Sequence, residues 1–478
     1  MSDNIAAAGA SVNTMEQKPN FKRLRYNELM KAMTLEADEY VLLKRAFQGG
    51  FTHANPFFTD VTVEDVTSFD FTSSYPAVMV AEQFPISKGY EAVISDKNQF
   101  ADYLEHYCCV FDVRFTNLES TVLFENYISE SRCWEQDRVF AENGRVVNAK
   151  MICTTITGED YRIIRRMYTW SRCEIGRFYY YYKGYLPRDF VAAILKLYSD
   201  KTTLKGVQGK EVEYLNSKEM LNSCYGMTVT DIVRDDHPYR NDEWLDPEKP
   251  DLETELKKYN NSRSRFLYYP WGVWVTAYAR RNLFSGIFAC GEDYIYSDTD
   301  SIKIRNADKH RNYFDDYNRT ITAQLRRACD VHHFDYDVIS PKTIKGVEKP
   351  LGVWDFDGHY KRFKTLGAKR YLTEDDDGEL HLTVAGLNKK VVTPYLREKY
   401  GDAVFENFSN LLTIPKGKTG KMTHTYIDDN LDGIITDYLG NVGEFHERSV
   451  VHLEDAEYRL SMSQSYIDYF LSIQQEDL

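Results

Sequence analysis

Two aspartates in the stretch Tyr296-Ser-Asp-Thr-Asp-Ser301 constrain this chain more than any other feature. Asp298 and Asp300 lie between the strand-prone segments 292–296 and 302–304, a pattern that predicts a β-hairpin with acids at its tip. Acids at such a tip can hold hard cations such as Mg²⁺. Because Asp-Thr-Asp turns are also common on solvated surfaces, this stretch alone leaves both a metal site and a plain turn open.

Composition places the chain among ordered globular proteins without identifying a ligand. The 478 residues, 43% apolar and 14% aromatic, suffice for about three domains. There is no run of eighteen apolar residues and no secretory signal, so we expect no transmembrane helix and a cytoplasmic location. Eight scattered cysteines without a Cys-x-x-Cys pair indicate reduced thiols rather than zinc ligands. The net charge of −14 argues against a nucleic-acid partner, but basic clusters at 361–370 and 416–421 can still line a DNA path.

A third aspartate stands where a predicted strand passes into a predicted helix. Val66–Phe71 alternates like a strand, and Asp70 lies near its end. Pro76 suits the first turn of the following helix, with Ser73 or Ser74 near its cap. Asp70 is therefore well placed to bind a metal beside exposed backbone groups.

A helix predicted over about Glu211 to Tyr225 presents an unusual face. Lys218, Asn222 and Tyr225 are spaced at i, i+4 and i+7, so they share one side of the helix. The lysine can hold a phosphate, the asparagine can hydrogen-bond and the tyrosine can stack on a base. A solvated helix face that ends in a glycine cap at Gly226 is the alternative.

Periodicity also outlines the rest of the chain. Residues 1 to about 20 are small and polar, and we expect them to be disordered. Further predicted elements are helices over 21–45, 186–197, 271–284 and 305–330, a strand-rich stretch over 83–187, an acidic loop-like stretch over 226–270, and alternating strands and turns beyond 347. The apolar helix over 271–284 is expected to pack under the Asp-Thr-Asp hairpin.

Carboxylates from separate strands and a phosphate-binding helix face are what two-metal phosphoryl transfer requires. Two Mg²⁺ ions about 3.5–4 Å apart activate the attacking hydroxyl and stabilise the leaving group. The chemistry otherwise needs mainly positioning and charge neutralisation.

Several segments then resemble, in order, the motifs of family B DNA polymerases. The matching segments are Asp70–Pro76, Lys218–Gly226, Tyr296–Ser301 and Lys369–Tyr371. Others resemble the protein-primed phage branch of that family: Phe47–Gly50, Pro270–Arg280, Leu351–Trp354, Ala385–Gly386 and Glu406–Phe408. The resemblance covers about residues 45 to 430.

The resemblance implies a role for each matching position. Asp70, Asp300 and the Phe71 carbonyl would bind two Mg²⁺ ions, with Mn²⁺ as a possible substitute, and Asp298 would be an accessory acid. Tyr75 would exclude a 2′-hydroxyl beneath the sugar. The other residues expected to contact the incoming nucleotide are Lys201, with Lys205 as a competitor, Lys218, Asn222 and Tyr225.

DNA contacts are expected at a separate set of positions. Those implied by the motifs are Gly49, Gly50, Gly226, Lys369 and Tyr371. The basic turn with Lys416, Lys418 and Lys421 can grip backbone phosphates without reading sequence.

The implied fold is an α+β right-hand polymerase: a palm with an antiparallel sheet, helical fingers, a β-rich thumb and two insertions. The predicted divisions are 1–46 for an N-terminal tail and linker helix, 47–85 for the Gly-Gly loop and first palm segment, 86–186 for a terminal-protein-binding type of insertion, 187–227 for fingers, 228–269 for a processivity and strand-displacement type of insertion, 270–375 for palm, and 376–478 for thumb and C-terminal extension.

The expected function is DNA-directed DNA polymerisation by two-metal nucleotidyl transfer, primed by a terminal protein on a linear phage or plasmid-like genome. Expected partners are template-primer DNA, dNTPs, a terminal protein, and a separate exonuclease and single-stranded-DNA-binding protein, with no membrane. The location would be the host cytoplasm if the source is viral.

Only about 46 residues precede the Gly-Gly loop, without an Asp-x-Glu motif, so we expect no proofreading in this chain. Phe47 and Ser74 depart from the family pattern. Alternatives are a polymerase that uses nucleic-acid primers, a metal-dependent nuclease, and a non-catalytic DNA-binding replication factor.

Overall fold

The computed structural model describes residues 26–235, 237–240, 243–427, 431–436, 440–447 and 450–461. They belong to two compact units, one with Met1–Phe51 and Ser68–Asp357, the other with Thr52–Thr67 and Gly358–Leu478. The division falls within two strands, Thr62–Phe71 and Trp354–Thr365. The predicted disordered tail lies outside the described residues.

Ten α-helices of the described residues lie in the first unit. They are α1 Tyr26–Ala32, α2 Ala37–Ala46, α3 Ser74–Ala81, α4 Lys97–His106, α5 Gly158–Met167, α6 Arg188–Leu204, α7 Glu211–Thr228, α8 Leu252–Asn261, α9 Tyr269–Cys290 and α10 Arg311–His332. The second unit contributes α11 Lys389–Tyr400 and α12 Val404–Asn407.

The strands up to the hairpin are β1 Thr52–Ala54, β2 Thr62–Phe71, β3 Phe84–Pro85, β4 Tyr90–Ala92, β5 Tyr107–Ser120, β6 Cys133–Glu142, β7 Arg145–Thr157, β8 Tyr168–Thr169, β9 Arg172–Gly184, β10 Tyr239–Arg240, β11 Glu243–Trp244, β12 Tyr294–Asp298 and β13 Ser301–Ile304. The remaining strands are β14 Trp354–Thr365, β15 Arg370–Asp375, β16 Leu380–Val384, β17 Thr413–Ile414, β18 Met422–Ile427, β19 Leu431–Thr436, β20 Val442–Glu447, β21 Val450–Asp455 and β22 Tyr458–Arg459.

The segment 86–186 is built around an antiparallel sheet, as its strand-rich sequence predicts. The strand order is β3-β9-β5-β7-β6, with β4 on β9 and β8 on β5. Apolar residues of β5 and β7 alternate toward a core that α5 also covers. Helix α5 begins at a capping box in which Thr157 and Asp160 exchange hydrogen bonds with each other's backbone N–H.

Helix α9 is the central element of the first unit. Pro270 lies in its first turn and Gly291, with φ of +52°, follows its end. Its N-terminal half packs Trp271 and Trp274 into one core, and its C-terminal half packs Phe284 into a second core. That second core includes Ile302 and Ile304 of β13, so the prediction that this helix lies under the Asp-Thr-Asp hairpin is confirmed.

The second unit is mainly strands. Strands β14, β15 and β16 pair antiparallel, and α11 packs on β16. Three further antiparallel pairs are β17 with β22, β18 with β21, and β19 with β20. Its core joins Leu372 and Leu382 of the sheet to Leu396 of α11 and to Phe405.

Several predicted boundaries were wrong. The stretch 21–45 is not one helix: its described part forms α1 and α2, and Glu36 opens the second with a capping box. The stretch 226–270 is not loop-like throughout, because α8 forms within it. Gly226 lies inside α7 instead of capping it, since that helix continues to Thr228. No helix among the described residues is long and apolar enough to cross a membrane.

Candidate active site

The hairpin of β12 and β13 places both acids at its tip, as predicted. Asp298 pairs with Ser301, so Thr299 and Asp300 form a two-residue turn in which Thr299 has φ of +60°. This backbone conformation is uncommon for a β-branched residue. The turn is held from outside, because the Thr299 N–H donates to the Phe51 carbonyl at 2.7 Å.

Asp70 lies beside this turn because one backbone hydrogen bond joins the two segments. The Phe71 N–H donates to the Asp300 carbonyl at 2.8 Å, which brings the end of β2 next to the hairpin tip. Burial, followed by the charges of Asp300 and Asp357, raises the pKa of Asp70 to about 7. Burial and then Asp298 raise the pKa of Asp300 to about 6.

These carboxylates fit a divalent cation. The Oδ1 atom of Asp70 is buried and has no hydrogen-bond partner among the described residues. Acids that are crowded and desolvated are stabilised by a bound cation, which restores the charge balance that burial disturbs. Oxygen donors from Asp70, Asp300 and the Phe71 carbonyl are the ligand type that Mg²⁺ prefers.

Two further charged side chains lie near the acids, one a lysine and the other an aspartate. Neither was predicted from the sequence. Lys303 on β13 is buried, and its ammonium donates to Ser301 Oγ at 2.9 Å. Burial lowers the pKa of Lys303, and Asp357, Asp70, Asp298 and Asp300 oppose that shift. Asp357 itself accepts a hydrogen bond from Ser68 at 3.1 Å. The strand alternation after Ser301 was the signal for Lys303, since it directs residues 301 and 303 to the same face.

The turn from β2 into α3 is fixed by side chains of other segments. Ser73, with φ of +62°, is the N-cap residue of α3, which confirms the prediction that this serine or its neighbour lies near the cap, although its side chain makes no capping hydrogen bond. Its hydroxyl instead accepts a hydrogen bond from the Lys201 ammonium at 2.8 Å. Lys201 therefore reaches the site from α6, whereas its competitor Lys205 is exposed at the end of that helix.

Positive charge gathers around Lys201. Burial lowers the pKa of Lys201, the charges of Lys218 and Lys205 lower it further, and Asp70 and Asp300 raise it. These interactions put two helices, α6 and α7, and the carboxylates within electrostatic range of one another. Asn222 is exposed on the same helix as Lys218, one turn further on.

Tyr75 of α3 and Tyr225 of α7 contact each other. Their ring centroids are 4.4 Å apart, with an angle of 44° between the planes. The structure thus brings the predicted sugar-side tyrosine and the predicted base-side tyrosine together. Gly226 follows on an open surface, where an added Cβ would have no neighbour within 4 Å among the described residues.

The Gly-Gly loop lies against the same group. A Cβ added at Gly50 would be 2.7 Å from Thr299 Cγ2 and 2.9 Å from the Tyr75 hydroxyl. The position therefore needs glycine for close approach. A Cβ added at Gly49 would have no neighbour within 4 Å in the described part of the chain. Buried Arg280 of α9 donates to the Gln48 and Gly49 carbonyls, the second at 2.9 Å.

The predicted primer-side residues belong to the second unit. Lys369 precedes β15 with φ of +54°, and its carbonyl accepts from the Ala385 N–H at 3.0 Å. Tyr371 lies on β15 and stacks on Phe363 with ring centroids 5.5 Å apart.

Of the three basic-turn lysines, Lys416 forms an ion pair with Glu454 at 2.8 Å. Lys418 and Lys421 lie 6.0 Å from the ring centroids of Tyr395 and Tyr458 respectively. The ammonium group of Lys416 thus already has an acidic partner, whereas the other two ammonium groups approach aromatic rings.

A second group of potential ligands occurs in this unit. Single ligand atoms of Asp375, Glu379 and His381 lie within 4.8 Å of one another. The Asp375 carboxylate accepts hydrogen bonds from the N–H groups of Asp377 and Glu379 at 3.0 and 2.8 Å. A tight turn between β15 and β16 accounts for this group without a metal.

Comparison with known proteins defines the class. Residues 4–321 match the family of DNA polymerase type B, organellar and viral, and the chain belongs to this family. The predicted family B membership is confirmed.

The relatives are polymerases of bacterial viruses. The DNA polymerase of Bacillus phage B103 is 24% identical over 363 residues, which cover 74% of this chain and 54% of the relative. That of Streptococcus phage Cp-1 is 22% identical over 345 residues, covering 71% and 51%. The chain thus spans about half the length of the curated relatives it matches.

Solved structures agree on the fold. Phi29 DNA polymerase complexed with primer-template DNA and incoming nucleotide substrates has a TM-score of 0.58 and 18% identity, over 91% of this chain and 64% of that one. The binary complex of the same polymerase gives 0.57 and 18%, over 90% and 64%. The predicted right-hand polymerase fold is therefore confirmed.

Proposed function

We propose that this chain is a DNA-directed DNA polymerase that joins dNMP units to a primer by two-metal nucleotidyl transfer. The observation that carries the proposal is the junction of β2 with the hairpin, where the Phe71 N–H to Asp300 carbonyl bond brings Asp70 and Asp300 together. Their raised pKa values and the buried, unpartnered Oδ1 of Asp70 mark a place that favours divalent cations. Family membership and the fold support this assignment.

The metal chemistry would depend on a small set of ligands. Asp70, Asp300 and the Phe71 carbonyl would hold two Mg²⁺ ions, or Mn²⁺ in their place, with Asp298 as an accessory acid. When bound, such ions activate the attacking hydroxyl and stabilise the leaving pyrophosphate.

The remaining side chains would bind and orient the nucleotide. Lys201 and Lys218 would neutralise the triphosphate, because their ammonium groups already influence each other beside the carboxylates. Asn222 would add a hydrogen bond from the same face of α7. Tyr75 would exclude a 2′-hydroxyl and Tyr225 would pack at the templating pair, so we expect the two rings to separate when a nucleotide enters.

The same proposal covers the DNA path. Gly49, Gly50 and Gly226 would allow DNA to approach the backbone, and Lys369 and Tyr371 would hold the primer terminus. Lys418 and Lys421 would contact backbone phosphates, with Lys416 joining them if it leaves Glu454.

The segment 86–186 supplies all strands but β3 of a separate antiparallel sheet, which supports its assignment as the terminal-protein-binding insertion. The phage origin of the relatives supports protein-primed replication of a linear genome, with the host cytoplasm as the location. A polymerase that extends ordinary nucleic-acid primers is the second candidate.

Primer extension tests the activity. The wild type, Asp300→Asn and Asp308→Asn are incubated with a primed template, Mg²⁺ and dNTPs. Asp308 is a matched control, because its side chain is 94% exposed and forms a surface ion pair with Arg311. Extension by the wild type and the control but not by Asp300→Asn is expected. Equal inactivity of all three refutes the proposal, and metal-dependent degradation without dNTPs would instead indicate a nuclease.

A second experiment separates the two priming modes. Labelled dNTP is supplied without a nucleic-acid primer, together with proteins produced from the same replicon. Label that survives nuclease but is released by protease indicates a protein primer. Incorporation only when an oligonucleotide is added would remove the protein-primed assignment and leave the polymerase proposal intact.

A further inference from the structure

The Gly-Gly loop supports the tip of the catalytic hairpin from behind. The Phe51 carbonyl accepts the Thr299 N–H at 2.7 Å, and Gly50 lies against the Thr299 side chain. Thr299 separates the two acids of the turn. A shift of the loop would therefore change where Asp298 and Asp300 point.

The loop is itself held by one guanidinium group. Arg280 is 2% exposed, and its Nη1 donates to the carbonyls of Gln48 and Gly49. The planar guanidinium can reach both carbonyls and still present Nε and Nη2 on its other side. Its direction thus determines where the loop backbone lies.

The other side of Arg280 is bound by the segment 86–186. Asp160 of α5 is fully buried, and its Oδ1 accepts from Arg280 Nη2 at 2.7 Å and Nε at 3.2 Å. Asp160 is fixed in turn by Tyr127, whose hydroxyl donates to Oδ1, and by Thr157, whose hydroxyl donates to Oδ2 at 2.7 Å. Burial alone raises the pKa of Asp160, but Arg280 and these hydrogen bonds hold it below its usual value.

A second buried contact joins the same segment to the hairpin. The Tyr294 hydroxyl, at the start of β12, donates to Glu125 at 3.0 Å. Arg145 lies over the Phe51 ring, with its Cζ 4.5 Å from the ring centroid, and donates to the Tyr127 carbonyl. The loop is thus enclosed between the hairpin on one side and polar residues of 86–186 on the other.

We propose that Asp160 is a positioning residue for the active site: it orients Arg280, Arg280 fixes the Gln48–Gly49 backbone, and this loop sets the turn between Asp298 and Asp300. The segment 86–186 would then be required for catalysis as well as for partner docking. This inference rests on the proposed polymerase function, but the structural link can be tested without it.

The adjacent ion pair offers a matched control. Arg281, the next residue on α9, forms ion pairs with Glu159 of α5 at 2.8 Å and with Glu82, and neither of these partners belongs to the loop. Glu159→Gln therefore weakens an ion pair between the same two helices. Asp160→Asn instead weakens the ion pair with Arg280, the residue that contacts the loop.

Hydrogen–deuterium exchange gives a readout that needs no activity. In Asp160→Asn, amides of residues 48–51 and 298–301 should exchange about 10-fold faster or more, while those of Glu159→Gln stay as in the wild type. Equal exchange in the two variants overturns the proposal. If Asp160→Asn does not fold, Arg280→Lys replaces it, since lysine keeps the charge toward Asp160 but loses the fork that reaches both carbonyls. Unchanged exchange in that variant overturns the proposal as well.

Steady-state kinetics then test whether the contacts from Asp160 through Arg280 to the loop affect catalysis. Asp160→Asn should lower kcat for single-nucleotide extension about 10- to 100-fold, with a smaller change in KM for dNTP, because a misplaced ligand affects the chemical step. Glu159→Gln should stay close to the wild type. A kcat that is lowered equally in both variants, in proportion to lost thermal stability, indicates a structural ion pair and refutes positioning. An inactive wild type would refute the proposed function, while the exchange data would still decide the positioning role.

Discussion

Replacing Gly50 by alanine tests how closely the Gly-Gly loop and the hairpin must fit. The new Cβ would be 2.7 Å from Thr299 Cγ2, 2.8 Å from Thr299 Oγ1 and 2.9 Å from the Tyr75 hydroxyl. Ordinary van der Waals contact begins at 3.4 Å. The loop or the Thr299 turn must therefore move by about 0.7 Å, and overpacking of this kind costs about 1–3 kcal/mol of folding free energy.

The displacement acts on the residues that carry the proposed chemistry. A misplacement of about 1 Å can lower a rate about 100-fold, so we expect kcat of Gly50→Ala to fall about 10- to 100-fold. Steady-state insertion of one nucleotide measures kcat and KM, and thermal unfolding measures stability. Gly358→Ala on β14 is the matched control, because its Cβ would have no neighbour within 4 Å among the described residues and Gly358 is not one of the proposed binding residues.

One result of this comparison would refute the reasoning. If Gly50→Ala retains the kcat of Gly358→Ala, the loop does not position the hairpin and the reasoning is refuted. Removing Thr299 Cγ2 and Oγ1 with Thr299→Ala in the Gly50→Ala background should restore part of kcat. Restoration should be incomplete, since the contact with Tyr75 remains.

Three further outcomes are expected. Tyr75→Val should lower the preference for dNTP over rNTP about 100-fold, and unchanged sugar discrimination would contradict the assignment. Lys201→Ala should raise KM for dNTP about 10-fold or more, because a charge-assisted contact is lost, whereas Lys205→Ala should change it less than about threefold; equal effects would contradict the distinction. Glu39, which is 1% exposed and accepts from the Tyr181 hydroxyl at 2.8 Å, has its pKa raised to about 7, chiefly by burial. Because the folded state keeps this proton after the unfolded chain loses it, the contribution of Glu39 to the unfolding free energy should fall by about 3 kcal/mol as pH rises from about 4 to 7 and then level off. Glu39→Gln should reduce that fall in chemical denaturation measured at several pH values, and an equal fall in both proteins would contradict it.

The local parts of the site could be predicted from sequence because short-range rules determine them. Asp298 and Asp300 stand in a turn between two strand-prone segments, and Asp70 stands at a strand end before a helix with proline in its first turn. Lys218 and Tyr225 share a face because the helical repeat requires it. The structure confirms each of these placements.

Long-range contacts could not be predicted in this way. Asp160 and Arg280 are 120 positions apart, and their pairing depends on the packing of α5 on α9. By contrast, α8 carried readable signals that were overlooked. Asp251 caps it through the Thr254 N–H at 2.9 Å, and Leu252, Leu256 and Tyr259 follow at i, i+4 and i+7. The many acids around these residues obscured an ordinary amphipathic helix.

The distribution of charge resolves the conflict between an acidic chain and the proposed nucleic-acid substrate. The net charge is −14, but interactions between exposed charges fade beyond about 8 Å at physiological ionic strength. A nucleotide at the hairpin would therefore experience Lys201 of α6 and Lys218 of α7 more than the distant acidic segments. Burial and then the charge of Lys218 already lower the pKa of Lys201. The carboxylates beside them would repel a triphosphate unless cations are bound. Nucleotide affinity should therefore depend on the divalent cation and on these lysines together, so that Lys201→Ala weakens dNTP binding measured with Mg²⁺ far more than binding measured without it. Equal weakening in both conditions would show that the lysine acts independently of the carboxylates.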